Sequence, residues 1–122
     1  MKRPVVVVPY DPTWPKAFEE EAEKIASVLK DNLIRTHHVG STAVPGLAAK
    51  PVIDMIPEVA DIQAVDGLTQ SFEKMGYEAK GEMGMPFRRF FVKKGAPLSY
   101  HVHIWEKDNP EIPLKTQAEL LG

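Results

Sequence analysis

Hydrophobic positions recur along this chain with two different periods. From residue 13 to residue 30, Trp14, Phe18, Ala22, Ile25 and Leu29 return at three- and four-residue spacing, while Glu19, Glu20, Glu23 and Lys24 fall mostly off that stripe. The spacing predicts an amphipathic helix over 13–30. Thr13 or Asp11 is placed to cap it, and the early glutamates are expected to favour the positive end of its dipole. Shorter β-branched or alternating runs predict strands at 5–8, ended by Pro9, Asp11 and Pro12, at 33–39, and at 52–56, stopped by Pro57. Asp61 is placed to cap a second helix with Val65, Leu68, Phe72 and Met75 on its apolar face and Gly76 at its end. Two more strands are expected at 87–93 and 98–106, separated by the turn Lys94-Gly95-Ala96-Pro97. A short helix is expected near the end of 107–122. Strand, helix, two strands, helix, two or three strands is the order of an α/β (α+β) chain, a mixed β-sheet with helices packed on it.

Composition narrows the function classes. The 122 residues suggest one domain over 1–122. A chain of this size buries roughly two-thirds of its unfolded surface, enough for a real core. Fifteen Lys+Arg against 17 Asp+Glu leave a net charge of −2, so there is no strong nucleic-acid signal and no attraction to an anionic membrane. Any phosphate contact must come from a local cationic cluster. The absence of cysteine excludes disulfides and thiol catalysis and fits a reducing compartment. The apolar run at 5–8 is too short for a signal-peptide core or a membrane span, so a soluble cytoplasmic protein is expected. Eleven prolines are dispersed, with no repeat or low-complexity block.

The candidate chemistry is concentrated in His38-Val39-Gly40-Ser41-Thr42-Ala43-Val44-Pro45-Gly46-Leu47-Ala48-Ala49-Lys50-Pro51, followed by Asp54. Gly40 and Ser41 directly follow a predicted strand. Glycine lets a ligand approach the backbone, and Ser41 and Thr42 supply hydroxyls for phosphate oxygens, although an ordinary turn would use the same residues. Lys50 offers a point charge. Asp54 interrupts an apolar strand, where a carboxylate needs a partner or a metal. In 100–106, alternation puts His101, His103 and Trp105 on one face and Val102 and Ile104 on the other. Two imidazoles at i and i+2 can share a ligand, but zinc normally takes three or four protein ligands. His37 and His38 point to opposite faces, so at most one can join the same site. Arg88 and Arg89 do likewise, and either could grip phosphate. Glu82 is a further carboxylate in the preceding loop.

These residues resemble the signature of the GrpB family. So do Val8-Pro9-Tyr10-Asp11-Pro12-Thr13-Trp14-Pro15, Gly76-Tyr77-Glu78 running into Gly81-Glu82, Arg88-Arg89-Phe90, and His101-Val102-His103. The resemblance covers about 5–112. It implies a nucleotidyltransferase-like fold, in which a Gly-Ser turn holds nucleotide phosphates and carboxylates on the following strands hold divalent metal. It also implies association with dephospho-CoA kinase, to which members of the family are fused. On that basis Gly40, Ser41, Thr42, Lys50, Arg88 and Arg89 are the expected phosphate-binding residues. Asp54, His101 and His103 are the expected metal ligands, and Asp54 and His103 the catalytic pair. The expected ligand is a nucleotide or other small phosphorylated molecule, with Mg²⁺ or Mn²⁺ ahead of Zn²⁺. The chain departs from the superfamily pattern at Ile56, where a second acid is expected, and its C-terminal end reads as shortened. Two alternatives follow: a non-catalytic nucleotide- or CoA-binding accessory module, and a metal-dependent hydrolase using Asp54, His101 and His103.

Overall fold

The computed structural model describes residues 7–82, 88–95 and 98–107. Helix α1 is Trp14–Leu29, with Pro15 in its first turn, where a missing N–H costs nothing. The Asp11 carboxylate accepts the N–H of Thr13 at 2.8 Å and its hydroxyl at 2.7 Å, ordering the approach to the helix. Thr13 makes no side-chain cap bond, and the first turn holds no acidic residue. The glutamates begin in the second turn, beyond the reach of the dipole, so the expected dipole contribution is absent. The helix ends at Lys30, whose φ of 55° is one that glycine adopts more readily.

Strand β1 is Leu33–Val39 and β2 is Val52–Val59. A 3₁₀ segment, Gln63–Leu68, leads into the short helix α2, Thr69–Lys74. Strands β3, Glu78–Gly81, β4, Arg88–Lys93, and β5, Ser99–Glu106, complete the sheet in the order β1-β2-β5-β4-β3. Neighbours run antiparallel except β2 and β5, which are parallel. This is the expected α+β mixed sheet. The run at 5–8 contributes only an isolated bridge, Val8 to Ala49, within the described residues. Residues 5, 6 and 87, the end of the turn at 96–97 and the tail helix expected within 107–122 lie outside them, apart from Lys107.

Pro57 does not stop β2. It pairs opposite Thr36 of β1, and the β2–β5 register continues from Met55–Val102 to Glu58–Trp105 across it. A proline forfeits one ladder bond, and here the flanking pairs hold the register. In the second helical region Asp61 accepts the N–H of Gln63 at 3.0 Å, Val65 and Phe72 are buried, and Gly76 ends the segment with φ +97°.

The sheet has two unlike faces. Ile53, Met55, Val59, Phe91, Val102 and Ile104 lie on the face that packs with Ile25, Leu29, Val65 and Phe72 from the helical side. Glu21 of α1 is buried in this layer, off the expected polar face. Its carboxylate accepts the Tyr77 hydroxyl at 2.8 Å and the Lys93 ammonium at 2.5 Å. Lys93 also lies over the Tyr77 and Tyr100 rings, 5.0 and 4.9 Å from their centroids. Burial first, then the bond to Glu21, pushes the Tyr77 hydroxyl up, so it remains a donor. The cluster ties α1 to β4.

Removing one partner of such a pair strands a charge, whereas replacing both with apolar groups is often tolerated. Lys93→Met is expected to cost about 3 kcal/mol in urea unfolding. Glu21→Met combined with Lys93→Met should recover most of that loss. A single variant as stable as the wild type would show that the cluster contributes nothing to stability.

Candidate functional site

Strand alternation and register assemble a polar cluster on the sheet face away from the helices. Asp54 of β2 lies opposite Val39 of β1 and His101 of β5, and His101 and His103 lie opposite Val92 and Phe90 of β4. Asp54, His101, His103, Phe90 and Arg88 therefore share one face. The Asp54 Oδ1 atom is 3.5 Å from His101 Nδ1 and 3.5 Å from His103 Nε2. One donor atom from each of the three residues lies within 4.8 Å of the others. All three side chains are partly exposed.

The Gly40–Ser41 turn backs onto this carboxylate. Gly40 adopts φ +77° and ψ −169°, a region essentially restricted to glycine. A Cβ at this position would come within 3.0 Å of Asp54 Oδ2. Ser41 is exposed and opens the 3₁₀ turn Ser41–Ala43. Lys50 is exposed. Burial pushes the His101 imidazole down from its usual value, Asp54 opposes it, and His103 and then Lys50 add to the downward push.

Two expected phosphate-binding residues, Thr42 and Arg89, stand differently, and of the adjacent histidines His38 lies off the site face. Thr42 is buried; its hydroxyl donates to the Val52 carbonyl at 3.0 Å and contacts His38 Nε2 at 3.1 Å, so it secures the turn from within. Arg89 faces the helices and grips Asp66 through Nε at 2.7 Å and Nη2 at 3.2 Å. Its guanidinium is thereby committed away from the cluster. His38 also faces the helices and stacks on Phe18, with ring centroids 4.7 Å apart.

Arg88 is the arginine on the site face. It is buried; Nε and Nη2 donate to the Glu82 carbonyl at 3.2 and 3.1 Å, and Nη1 lies 3.3 Å from His103 Nδ1. Phe90 stacks on His103 at 4.6 Å and carries the Arg88 guanidinium 4.9 Å from its centroid. Glu58, four residues beyond Asp54 on the same face, is not among the expected site residues; the strand's alternation, carried through Pro57, points to it. Its carboxylate is 2.6 Å from His37 Nε2 and 3.8 Å from Arg35, so it is engaged beside the cluster rather than within it. Ile56 lies between the two acids and is buried. Among the described residues, no helix is long and apolar enough to cross a membrane.

The model of the family described as GrpB protein matches residues 4–118. The UPF0157 protein YqkA of Bacillus subtilis is 42% identical over 111 residues, covering 91% of this chain and 32% of that protein. A dephospho-CoA kinase of Mycolicibacterium paratuberculosis is 30% identical over 132 residues, covering 99% of this chain and 32% of the kinase. The crystal structure of conserved protein GrpB from Enterococcus faecalis superposes with a TM-score of 0.88 at 42% identity, covering 95% of this chain and 72% of that one. The chain spans about a third of the length of these two curated relatives.

Two outcomes follow from this geometry. Gly40→Ala should strain the turn and displace the Asp54 carboxylate, costing about 1–3 kcal/mol in thermal unfolding. It should also weaken any metal ion held at Asp54; an unchanged melting temperature would show that the turn adapts freely. Burial lowers the His38 pKa, with Asp54 opposing. The unfolded chain therefore takes up that proton first. Stability should fall as pH drops below about 6.5 and level off below the lowered folded value. His101 acts in the same direction. In chemical denaturation at pH 7.5 and 5.5, His38→Gln should show a shallower loss than the wild type.

Proposed function

This chain belongs to the GrpB family, and from that premise we propose that its polar sheet face binds a nucleotide or other small phosphorylated ligand, with a divalent metal at Asp54, His101 and His103. The observation that carries the reading is the convergence of opposite charges on one face. Asp54 is flanked by two imidazoles and backed by Gly40, while Lys50 and Arg88 supply cationic charge nearby. Gly40 and Ser41 offer close backbone approach and a hydroxyl, Lys50 a mobile point charge, and Arg88 a planar donor group.

The donor set suits a metal in spacing. One carboxylate and two imidazoles with open positions is a familiar arrangement for transition ions, and it suits Mn²⁺ or Zn²⁺ better than the oxygen-preferring Mg²⁺. When bound, an ion would neutralise charge on a phosphoryl oxygen. Buried Ile56 occupies the place of the second acid expected for two-metal nucleotidyl transfer. That favours ligand binding over efficient transfer. The kinase relationship makes CoA precursors suitable ligands for trial, as an accessory binding module would require. The three-donor set supports a second reading, a metal-dependent hydrolase.

The deciding experiment is calorimetric titration of the purified chain with nucleoside mono- and triphosphates and with dephospho-CoA, each with and without Mn²⁺. Ser41→Ala plus Lys50→Ala should weaken binding by about tenfold or more, while Asp54→Asn should remove only its metal dependence. Ligand binding untouched by the double change would refute the proposed anion site. Tight transition metal retained by untreated protein, with turnover of a phosphoester, would favour the hydrolase.

A further inference from the structure

Arg88 makes a contact that a metal-binding histidine does not ordinarily receive. Guanidinium groups only donate hydrogen bonds. The nitrogen facing Arg88 Nη1 at 3.3 Å, His103 Nδ1, must therefore be the acceptor. In a neutral ring that places the proton on Nε2, the atom facing Asp54 Oδ1 at 3.5 Å. A metal-ligating imidazole has the reverse arrangement, with its far nitrogen donating to a carboxylate or carbonyl and its near nitrogen presenting a lone pair to the ion. The Glu82 carbonyl holds the other two donor nitrogens of Arg88, and the Phe90 ring lies under the guanidinium, so the group is aimed at His103 by its surroundings.

We infer that Arg88 is the positioning residue of this site, holding His103 in the Nε2–H tautomer and so opposing metal entry until an anion draws the guanidinium away. The inference deepens the function proposed above and rests on that reading for the anion. Once Arg88 turns to a phosphoryl group, Nδ1 is released, the ring proton can move to it, and Nε2 becomes a free donor beside Asp54 and His101. Metal and anion then bind with positive coupling, each strengthening the other by the same factor. A protein built this way holds free divalent ions more weakly than ions that arrive together with the ligand.

The test begins with ¹⁵N correlation spectra of the histidine rings of the metal-free wild type, assigned with His103→Gln. The expected spectrum shows His103 protonated on Nε2; protonation on Nδ1 overturns the inference without reference to any ligand. Mn²⁺ titration, followed by the loss of free-ion EPR signal, is then compared for wild type, Arg88→Met and Arg88→Lys, with and without methylphosphonate as a minimal phosphate-like dianion. Arg88→Met should bind Mn²⁺ at least about fivefold more tightly than wild type and lose its response to methylphosphonate, while wild type should tighten on its addition. Arg88→Lys, which keeps the charge and loses the fork, provides a reading if the methionine variant does not fold, and its affinity should also rise. Unchanged or weaker Mn²⁺ binding in the folded variants overturns the inference. If the variants tighten as expected while methylphosphonate has no effect on wild type, the hold of Arg88 on His103 stands and the proposed anion reading fails.

Discussion

The register of β2 against β5 is the constraint on which the rest of the site depends. In a sheet, paired residues project to the same side, and a slip of one residue reverses every side chain. With Asp54 opposite His101, the even positions of β2 and the odd positions of β5 share the face that carries the site, where Ile56 and Trp105 are buried beside the polar groups. Their neighbours Ile53, Met55, Val102 and Ile104 are fully buried on the other. The apolar core thus enforces the placement of the three polar groups. No separate interaction among Asp54, His101 and His103 has to assemble them, which matters because their mutual contacts are long and partly solvated.

A second consequence of two faces is that adjacent, chemically similar residues have unrelated roles. Arg88 and Arg89 are successive guanidinium groups, yet one is committed to Asp66 on the helical side and the other lies beside His103. His37 and His38 divide in the same way, between Glu58 and the Phe18–Thr42 environment. Of these two guanidinium groups only that of Arg88 lies on the site face, so the pair brings less cationic charge to it than the sequence suggests.

Much of this was legible from periodicity. The first helix, β1 and the shared face of His101 and His103 follow from spacing alone, as does the oddity of Asp54 in an apolar run. What escaped the sequence depends on partners far along the chain. Glu21 looks like one more surface glutamate until Lys93, 72 residues later, is seen to reach it. Pro57 reads as a stop because its lost donor is local, whereas the neighbouring strands that hold the register are not. Thr42 looks available until its hydroxyl is traced to the Val52 carbonyl. The approach of Arg88 Nη1 to His103 Nδ1, 3.3 Å, is a contact between strands that no spacing rule supplies.

The parallel pairing of β2 with β5 also bears on how the site comes into being. A parallel pair needs a long crossover, and here the intervening chain carries α2, β3 and β4. Asp54 and His103 are 49 residues apart. Their approach requires closure of a large loop, whose entropy must be met before the central ladder repays it. A nascent chain that has emerged only as far as α2 holds Gly40, Ser41, Lys50 and Asp54 but neither late histidine nor Arg88. The residues of the candidate site are thus brought together only when β5, the last strand among the described residues, joins the sheet.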